Sequence, residues 1–229
     1  RAVTSSEGCA VQVPEFGARP PAVTPAHALA TTASPSTKRA IVIGSSTGGP
    51  SVLATILQEL SRPHPPVLIA QHISSKFTRS LAKSLSEQTG LHVVEVRSGD
   101  AIQPNTVYVA PGNRHMRVRL ANHVPMLMTI GGLPNMHHCP SINELMTSAV
   151  NVFGADALGI ILTGMGDDGA TGLLAMRRAG CRTLAQDEAS STVFGMPRAA
   201  IECGGVDRVG PPNVIIEEMH RWMMADKND

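Results

Sequence analysis

A strand, a glycine turn and a helix follow one another between residues 41 and 60. Residues 41–49 read Ile-Val-Ile-Gly-Ser-Ser-Thr-Gly-Gly, an apolar run that ends in a turn of small and hydroxyl-bearing residues. The apolar residues of the next segment have the spacing of one helical face: Val52, Leu53, Ile56, Leu57 and Leu60. In open α/β sheets such turns lie at the carboxyl ends of strands, where ligands bind. The feature therefore predicts an α/β fold with a functional site at this turn.

A helix that begins at such a turn directs N–H groups and the positive end of its dipole toward an anion or a developing oxyanion. Two chemistries use this arrangement, a nucleophilic serine on a strained elbow and a phosphate cradle. The turn lacks the lysine of a P-loop, and its glycines do not follow G-x-G-x-x-G. This favours serine chemistry, with Ser45 and Ser46 both as candidates, over phosphate binding. A plain helix cap is the structural alternative.

Strand-like and helix-like segments alternate along the rest of the chain. Short apolar runs at 67–70, 92–96, 107–110, 158–162 and 182–185 alternate with helical stripes at 77–85, 142–153, 173–176 and after 213. This order predicts a doubly wound, mostly parallel sheet with helices on both faces. Residues 114–120 and 125–130 alternate around a turn at 121–123, and they predict a small β-hairpin near residues 114–130.

The first 37 residues differ in composition from the rest. They are rich in alanine, proline, serine and threonine and show no sustained apolar period, so we expect a flexible interdomain linker over 1–37. The folded domain is expected over 38–224, with a short tail at 225–229. A linker in front of a complete domain indicates a further domain upstream.

Composition argues against several partners. The net charge is +1 and aromatic residues make up 3%, which favours neither nucleic acid nor an acidic membrane surface. No apolar stretch reaches the roughly 18 residues of a membrane span, so membrane insertion is not expected. The scattered cysteines are typical of free thiols in a reducing compartment, and we expect a cytoplasmic protein.

Three predicted strand ends carry reactive side chains: Ser46 or Ser45, then His72, then Asp168 or Asp167. A histidine activates a serine hydroxyl by taking its proton, and a carboxylate fixes the tautomer of that histidine. If the three strands are neighbours, these residues form a Ser-His-Asp triad. Each residue alone has a simpler interpretation: a helix cap, a core histidine, or a turn aspartate. A second carboxylate beside Asp168 is expected to raise the pKa of one of the two.

The remaining histidines do not predict a metal site. His137, His138 and Cys139 are adjacent in sequence, which makes convergence on one ion awkward. We expect neither a metal nor a cofactor. Six further histidines have no partner visible in the sequence and are interpreted as surface or linker residues: His27, His64, His92, His115, His123 and His220.

The motifs together resemble the C-terminal catalytic domain of the bacterial chemotaxis protein-glutamate methylesterases, the CheB type. The resemblance extends from about Lys38 to Trp222 and is carried by six groups of residues: 43–49, Gln71-His72 with Phe77-Thr78, 110–112 with Arg114-His115, 162–170, 186–188 and 193–197. By motif position it implies that Ser46 is the nucleophile, His72 the base and Asp168 its partner. It also suggests Thr47, Gly48 and Met165 as candidates for binding the oxyanion or the substrate.

The resemblance implies hydrolysis of glutamate methyl esters on the cytoplasmic domains of methyl-accepting chemotaxis receptors, with release of methanol. It also implies deamidation of particular receptor glutamines and an upstream receiver domain. The family often has alanine at the position of Ser45 and asparagine at that of Asp167. Two alternatives remain open, a serine hydrolase of the same fold with another ester substrate and a noncatalytic signalling scaffold.

Overall fold

The computed structural model describes residues 38–132 and 138–225. The strands are Ala40–Ser45 (β1), Val67–Gln71 (β2), His92–Glu95 (β3), Thr106–Val109 (β4), His115–Ala121 (β5), Val124–Ile130 (β6), Ala157–Ile161 (β7), Arg182–Gln186 (β8) and Arg208–Gly210 (β9). The helices are Gly49–Gln58 (α1), Ser75–Thr89 (α2), Ile142–Phe153 (α3), Ala170–Arg178 (α4), Met196–Glu202 (α5) and Pro212–Met224 (α6), and a short 3-10 helix spans Gly154–Asp156.

Seven strands form one parallel sheet in the order β3-β4-β2-β1-β7-β8-β9. On one side of β1 the chain adds β2, then the edge strand β3, and then β4 between them; on the other side it adds β7, β8 and β9 in turn. Strand β1 therefore lies at the topological switch point, where open α/β sheets form a crevice at the carboxyl ends of their strands. The predicted doubly wound, mostly parallel sheet is confirmed.

Both faces of the sheet are covered by helices, which explains the uninterrupted apolar run of β1. Ala40 and Val42 pack on the side of α3, α4 and α5. Ile41 and Ile43 pack on the opposite side, against α1, α2 and α6. A strand buried on both faces has no solvent side, so its sequence does not alternate between apolar and polar residues.

The predicted hairpin is present as β5 and β6, which pair antiparallel from His115↔Ile130 to Ala121↔Val124. Its turn is tighter than predicted, since Ala121 belongs to the ladder. The two turn residues, Asn122 and His123, have φ angles of 49° and 63°. A two-residue turn with positive φ at both positions matches the right-handed twist of the strands.

Two elements were not predicted. Helix α5 has seven residues and β9 has three, too few to show a helical or alternating period. No helix in residues 38–132 or 138–225 combines the length and apolarity needed to cross a bilayer. The predicted linker at 1–37, His137 and all but the first residue of the predicted tail lie outside the described residues.

Candidate active site

The strand ends that carry the candidate residues are adjacent, because β1 pairs with β2 on one side and with β7 on the other. Ser46 follows β1, and its N–H donates to the carbonyl of Thr163, beyond β7, over 3.0 Å. His72 follows β2, and its N–H donates to the carbonyl of Ser45 over 2.9 Å. The backbone therefore holds the candidate serine between the candidate base and the loop of the candidate aspartate.

His72 and Asp168 are hydrogen-bonded through Nε2 and Oδ2, 2.9 Å apart. Because an ionised carboxylate only accepts hydrogen bonds, Nε2 of the neutral ring carries the proton. Nδ1 is then the unprotonated nitrogen of His72. The structure thus brings His72 and Asp168 together and leaves one ring nitrogen available to act as a base.

Asp168 also binds the N-terminus of α3. Its Oδ2 accepts from the N–H of Ile142 over 2.7 Å, and its Oδ1 accepts from the N–H of Asn143 over 3.1 Å and from the hydroxyl of Ser141 over 3.2 Å. A carboxylate at this end of a helix satisfies N–H groups that lack an intrahelical partner and lies at the positive end of the dipole.

These bonds keep Asp168 ionised although it is only 4% exposed. Burial raises the pKa of its carboxyl, but the hydrogen bond from His72 and those from the N–H groups of Ile142 and Asn143 together lower the pKa below its usual value. Asp168 is therefore not a carboxyl whose pKa is raised by its neighbour. Asp167 is exposed.

Ser45 and Ser46 occupy different environments. Ser45 is fully buried, and its hydroxyl donates to Oε1 of Gln71 over 2.6 Å. Ser46 is half-buried, and within the described ranges its hydroxyl makes no hydrogen bond, including none to His72. A catalytic hydrogen bond is often long in a free enzyme and shortens only when substrate is bound. Accessibility therefore favours Ser46 over Ser45.

Gln71 is a residue whose role the sequence did not reveal. Its side chain is 1% exposed, and its Nε2 donates to the carbonyl of Ser46 over 2.8 Å and to that of His72 over 3.1 Å. One amide thus connects the ends of β1 and β2 beside the serine and the histidine. The sequence signals were its position next to His72 at a predicted strand end and its place in the Gln71-His72 motif of the family resemblance.

The remaining candidates line the opening of the site. Thr47 is exposed, and Gly48 has a φ of +82° at the start of α1, a conformation that favours glycine. Met165 is 73% exposed in the loop after β7. This loop is fixed at its base, because the carbonyl of Gly164 accepts from the N–H groups of Gly195 and Met196 over 3.0 and 2.9 Å.

A second histidine, His138, stacks on His72. The ring centroids are 4.8 Å apart and the ring planes differ by 9°. From the sequence, His138 was a candidate only as a metal ligand. Across the residues that the structure describes, no three His, Cys, Asp or Glu side chains are grouped to hold a metal ion.

Two histidines interpreted as surface residues are buried. His64 is 2% exposed and His115 is fully buried. Nδ1 of His115 accepts a hydrogen bond from the N–H of Ser141 over 3.1 Å. The surface interpretation was wrong for both, because single polar residues in short strands and turns carry no periodic signal of burial.

The arrangement has the parts that acyl transfer requires: an accessible hydroxyl at a strand-to-helix turn, a histidine with a free ring nitrogen, and a carboxylate that fixes the histidine tautomer. The same turn begins α1, whose positive dipole end stabilises negative charge that develops on a carbonyl oxygen.

Comparisons with known proteins identify the family. The family model described as CheB methylesterase matches residues 41–219. A protein-glutamate methylesterase/protein-glutamine glutaminase of Geobacter metallireducens is 44% identical over 193 residues, which are 84% of this chain and 53% of that protein. A protein of the same name from a group 3 operon of Rhodopseudomonas palustris is 44% identical over 191 residues, 83% of this chain and 53% of that protein.

Among solved structures, the catalytic domain of the Thermotoga maritima CheB methylesterase superposes with a TM-score of 0.77 and 33% identity. The match covers 80% of this chain and 97% of that domain. The chain spans about half the length of the curated relatives it matches. The family model and the relatives cover most of the described sheet and its helices, and on this evidence the chain belongs to the CheB methylesterase family.

Proposed function

We propose that this chain hydrolyses glutamate methyl esters on the cytoplasmic domains of chemoreceptors, releasing methanol, and deamidates particular receptor glutamines. The observation that carries the proposal is the His72–Asp168 pair at the end of β2, next to the accessible Ser46. Membership of the CheB methylesterase family supports the substrate class. The protein then acts in the cytoplasm, where these receptor domains lie.

In the proposed reaction Ser46 is the nucleophile. Nδ1 of His72 takes the proton of the Ser46 hydroxyl as its oxygen attacks the ester carbonyl. Asp168, ionised and fixed at the N-terminus of α3, stabilises the imidazolium through Nε2. The imidazolium then donates the proton to the leaving methoxide, methanol departs, and a glutamyl ester of Ser46 remains.

Water completes the cycle. His72 takes a proton from water as the water oxygen attacks the carbonyl of the glutamyl ester. The imidazolium then gives a proton to the Ser46 oxygen as its bond to the carbonyl carbon breaks, which restores the serine hydroxyl and leaves a free glutamate. A glutamine side chain follows the same course with ammonia as the leaving group, so one site serves both reactions. Negative charge on the carbonyl oxygen is bound at the start of α1 and the loop after β7, with Thr47, Gly48 and Met165 as the candidates.

The test is methanol release from methyl-labelled receptor fragments. We expect Ser46→Ala to lower the rate about ten-thousand-fold, as deletion of a triad nucleophile does in other hydrolases. Ser45→Ala, the matched change one residue earlier, is expected to keep most of the activity because the Ser45 hydroxyl is buried against Gln71. Near-normal activity of Ser46→Ala would refute the nucleophile assignment.

We propose further that an upstream receiver domain regulates this site in the full-length protein. The support is that the matched relatives are about twice as long as the part that aligns with this chain. A full-length form that becomes more active on phosphorylation would agree with this proposal. A full-length form with the same rate before and after phosphorylation would oppose it.

A further inference from the structure

The backbone N–H groups at the start of α3 all donate to hydrogen-bond acceptors. One of these acceptors is a buried histidine from the hairpin. The N–H groups of Ile142 and Asn143 donate to Asp168, and that of Glu144 donates to the hydroxyl of Ser141 over 3.3 Å. The N–H of Ser141 itself donates to Nδ1 of His115 over 3.1 Å. Each of these four N–H groups has a partner, as buried helix ends require.

His115 is two hydrogen bonds away from the Asp168 carboxylate. It holds the backbone of Ser141, and the hydroxyl of Ser141 donates to Oδ1 of Asp168 over 3.2 Å. Asp168 in turn binds His72 through its other oxygen. The chain of contacts therefore runs from the hairpin strand β5 through the cap of α3 to the catalytic pair.

His115 fulfils this role only as a neutral ring, because Nδ1 must be unprotonated to accept the N–H of Ser141. Burial is the largest influence on His115, and it lowers the pKa of the ring. The negative charges of Glu144 on α3 and Asp168 in the loop after β7 raise this pKa, and the positive charge of Arg117 on β5 lowers it further. The net direction is downward, so the ring stays neutral at physiological pH. Glu144 is itself paired with Arg117.

We infer that His115 is a positioning residue for the proposed esterase reaction: it fixes Ser141 and the first turn of α3, and thereby holds Asp168 in line with His72. This inference rests on the proposed function. It gives the hairpin a part in the reaction, although neither β5 nor β6 supplies one of the three proposed catalytic residues.

The test compares two substitutions at position 115. His115→Phe keeps a ring of similar size but has no acceptor, so we expect kcat to fall about 10- to 100-fold with little change in KM, the size of effect that follows from a misplaced catalytic group. The acid limb of the pH–rate profile is expected to move to lower pH, because a displaced carboxylate stabilises the imidazolium less well. His115→Gln offers an amide oxygen to Ser141 and is expected to restore kcat to within about 3-fold of the wild type.

A measurement without substrate separates this inference from the proposed function. In the free protein, the hydrogen-bonded Nε2–H proton of His72 is expected as a downfield NMR resonance in the wild type and in His115→Gln, and it should be lost in His115→Phe. His92→Phe, a change of an exposed histidine on β3, is the matched control and should keep the resonance. These resonances are informative even if the wild type releases no methanol from receptor fragments.

Two outcomes would overturn the inference. One is a His115→Phe variant that keeps both the resonance and the wild-type kcat. The other is a His115→Gln variant that loses as much activity as His115→Phe, since the position would then require only the shape of the imidazole ring.

Discussion

Gly164, in the loop after β7, has no side chain and therefore leaves space for Ser46. A Cβ atom at position 164 would lie 2.6 Å from the Cβ of Ser46 and would also overlap the sulfur of Met196. The methionine side chain can rotate away, but Ser46 is held through its N–H by Thr163 and through its carbonyl by Gln71. The position of the proposed nucleophile therefore depends on the absence of a side chain at residue 164.

We expect Gly164→Ala to lower the esterase rate about 10- to 100-fold, because a displacement of about 1 Å of a catalytic group costs roughly 100-fold. The measurement is methanol release at saturating substrate, together with a thermal melt. Gly132→Ala is the matched control, since a Cβ there meets no atom of the described residues within 4 Å, and its rate should be unchanged. Equal rates for the two variants would show that Ser46 tolerates the shift.

The sequence predicted that the three proposed catalytic residues lie together, but it did not predict what surrounds them. Strand ends placed Ser46, His72 and Asp168 on one rim, because parallel strands end on the same side of a sheet. The choice between Ser45 and Ser46 needed the family resemblance. In the structure, burial supports the same choice, since Ser45 is fully buried and its hydroxyl donates to Gln71.

At the level of secondary structure, the N-terminus of α3 contributes both to the stability of the helix and to the position of Asp168 in the candidate site. The sequence Ser141-Ile142-Asn143-Glu144 has the form of a capping box with Ser141 as the helix cap. The structure confirms the cap, with the N–H of Glu144 donating to the Ser141 hydroxyl. The Glu144 carboxylate, however, pairs with Arg117 on β5. The second bond of a capping box, from the Ser141 N–H to the Glu144 side chain, is therefore replaced by an ion pair between residues far apart in sequence.

We expect Ser141→Ala to lower the free energy of unfolding by about 1 kcal/mol, the usual cost of losing a helix cap, and also to reduce kcat because Asp168 loses a donor. Urea unfolding followed by circular dichroism gives the first quantity and methanol release the second. Thr147→Ala, on the exposed side of the same helix, should change stability by less than about 0.5 kcal/mol. A Ser141→Ala variant as stable and active as Thr147→Ala would contradict the proposed role of the cap.

The short elements β9 and α5 were not predicted, and the reason is physical. The three residues of β9 and the seven of α5 are held by tertiary contacts: β9 by its pairing with β8, and α5 by packing of Met196 and Ala200 into the core. Their local sequences contain too few turns or alternations to specify a period. Long elements such as α3, with a complete apolar stripe, were predicted with the right type and bounds.

For the molecule as a whole, the two buried histidines make stability depend on pH. Nδ1 of His64 donates to the carbonyl of Pro65 over 2.7 Å, and in the described ranges its buried Nε2 has no hydrogen-bond partner. Burial lowers the pKa of His64 below its ordinary value, an effect that outweighs the bond to Pro65. Burial lowers the pKa of His115 as well.

A lowered pKa in the folded state means that the unfolded chain binds more protons, so stability rises with pH and is lost in acid. We expect the free energy of unfolding to fall as the pH drops below about 6.5, by at most about 1.4 kcal/mol per pH unit for each histidine. Asp168 adds a further loss in stronger acid, because its pKa is also lowered in the folded state.

Urea titrations between pH 8 and pH 5 measure this dependence. His64→Gln is expected to flatten it, whereas His123→Gln, at the exposed hairpin turn, should leave it unchanged. A wild-type protein that is equally stable at pH 8 and pH 5 would contradict the lowered pKa of the two buried histidines.

The Asp168 carboxylate has two sets of partners: the same two oxygens bind His72 and accept the N–H groups at the start of α3. Fraying of the first turn of α3 would therefore release the partner of His72 while the parallel sheet remained intact. Local opening near a helix end requires less free energy than global unfolding. We therefore expect mild denaturant to abolish the esterase activity at a lower concentration than the one that unfolds the domain.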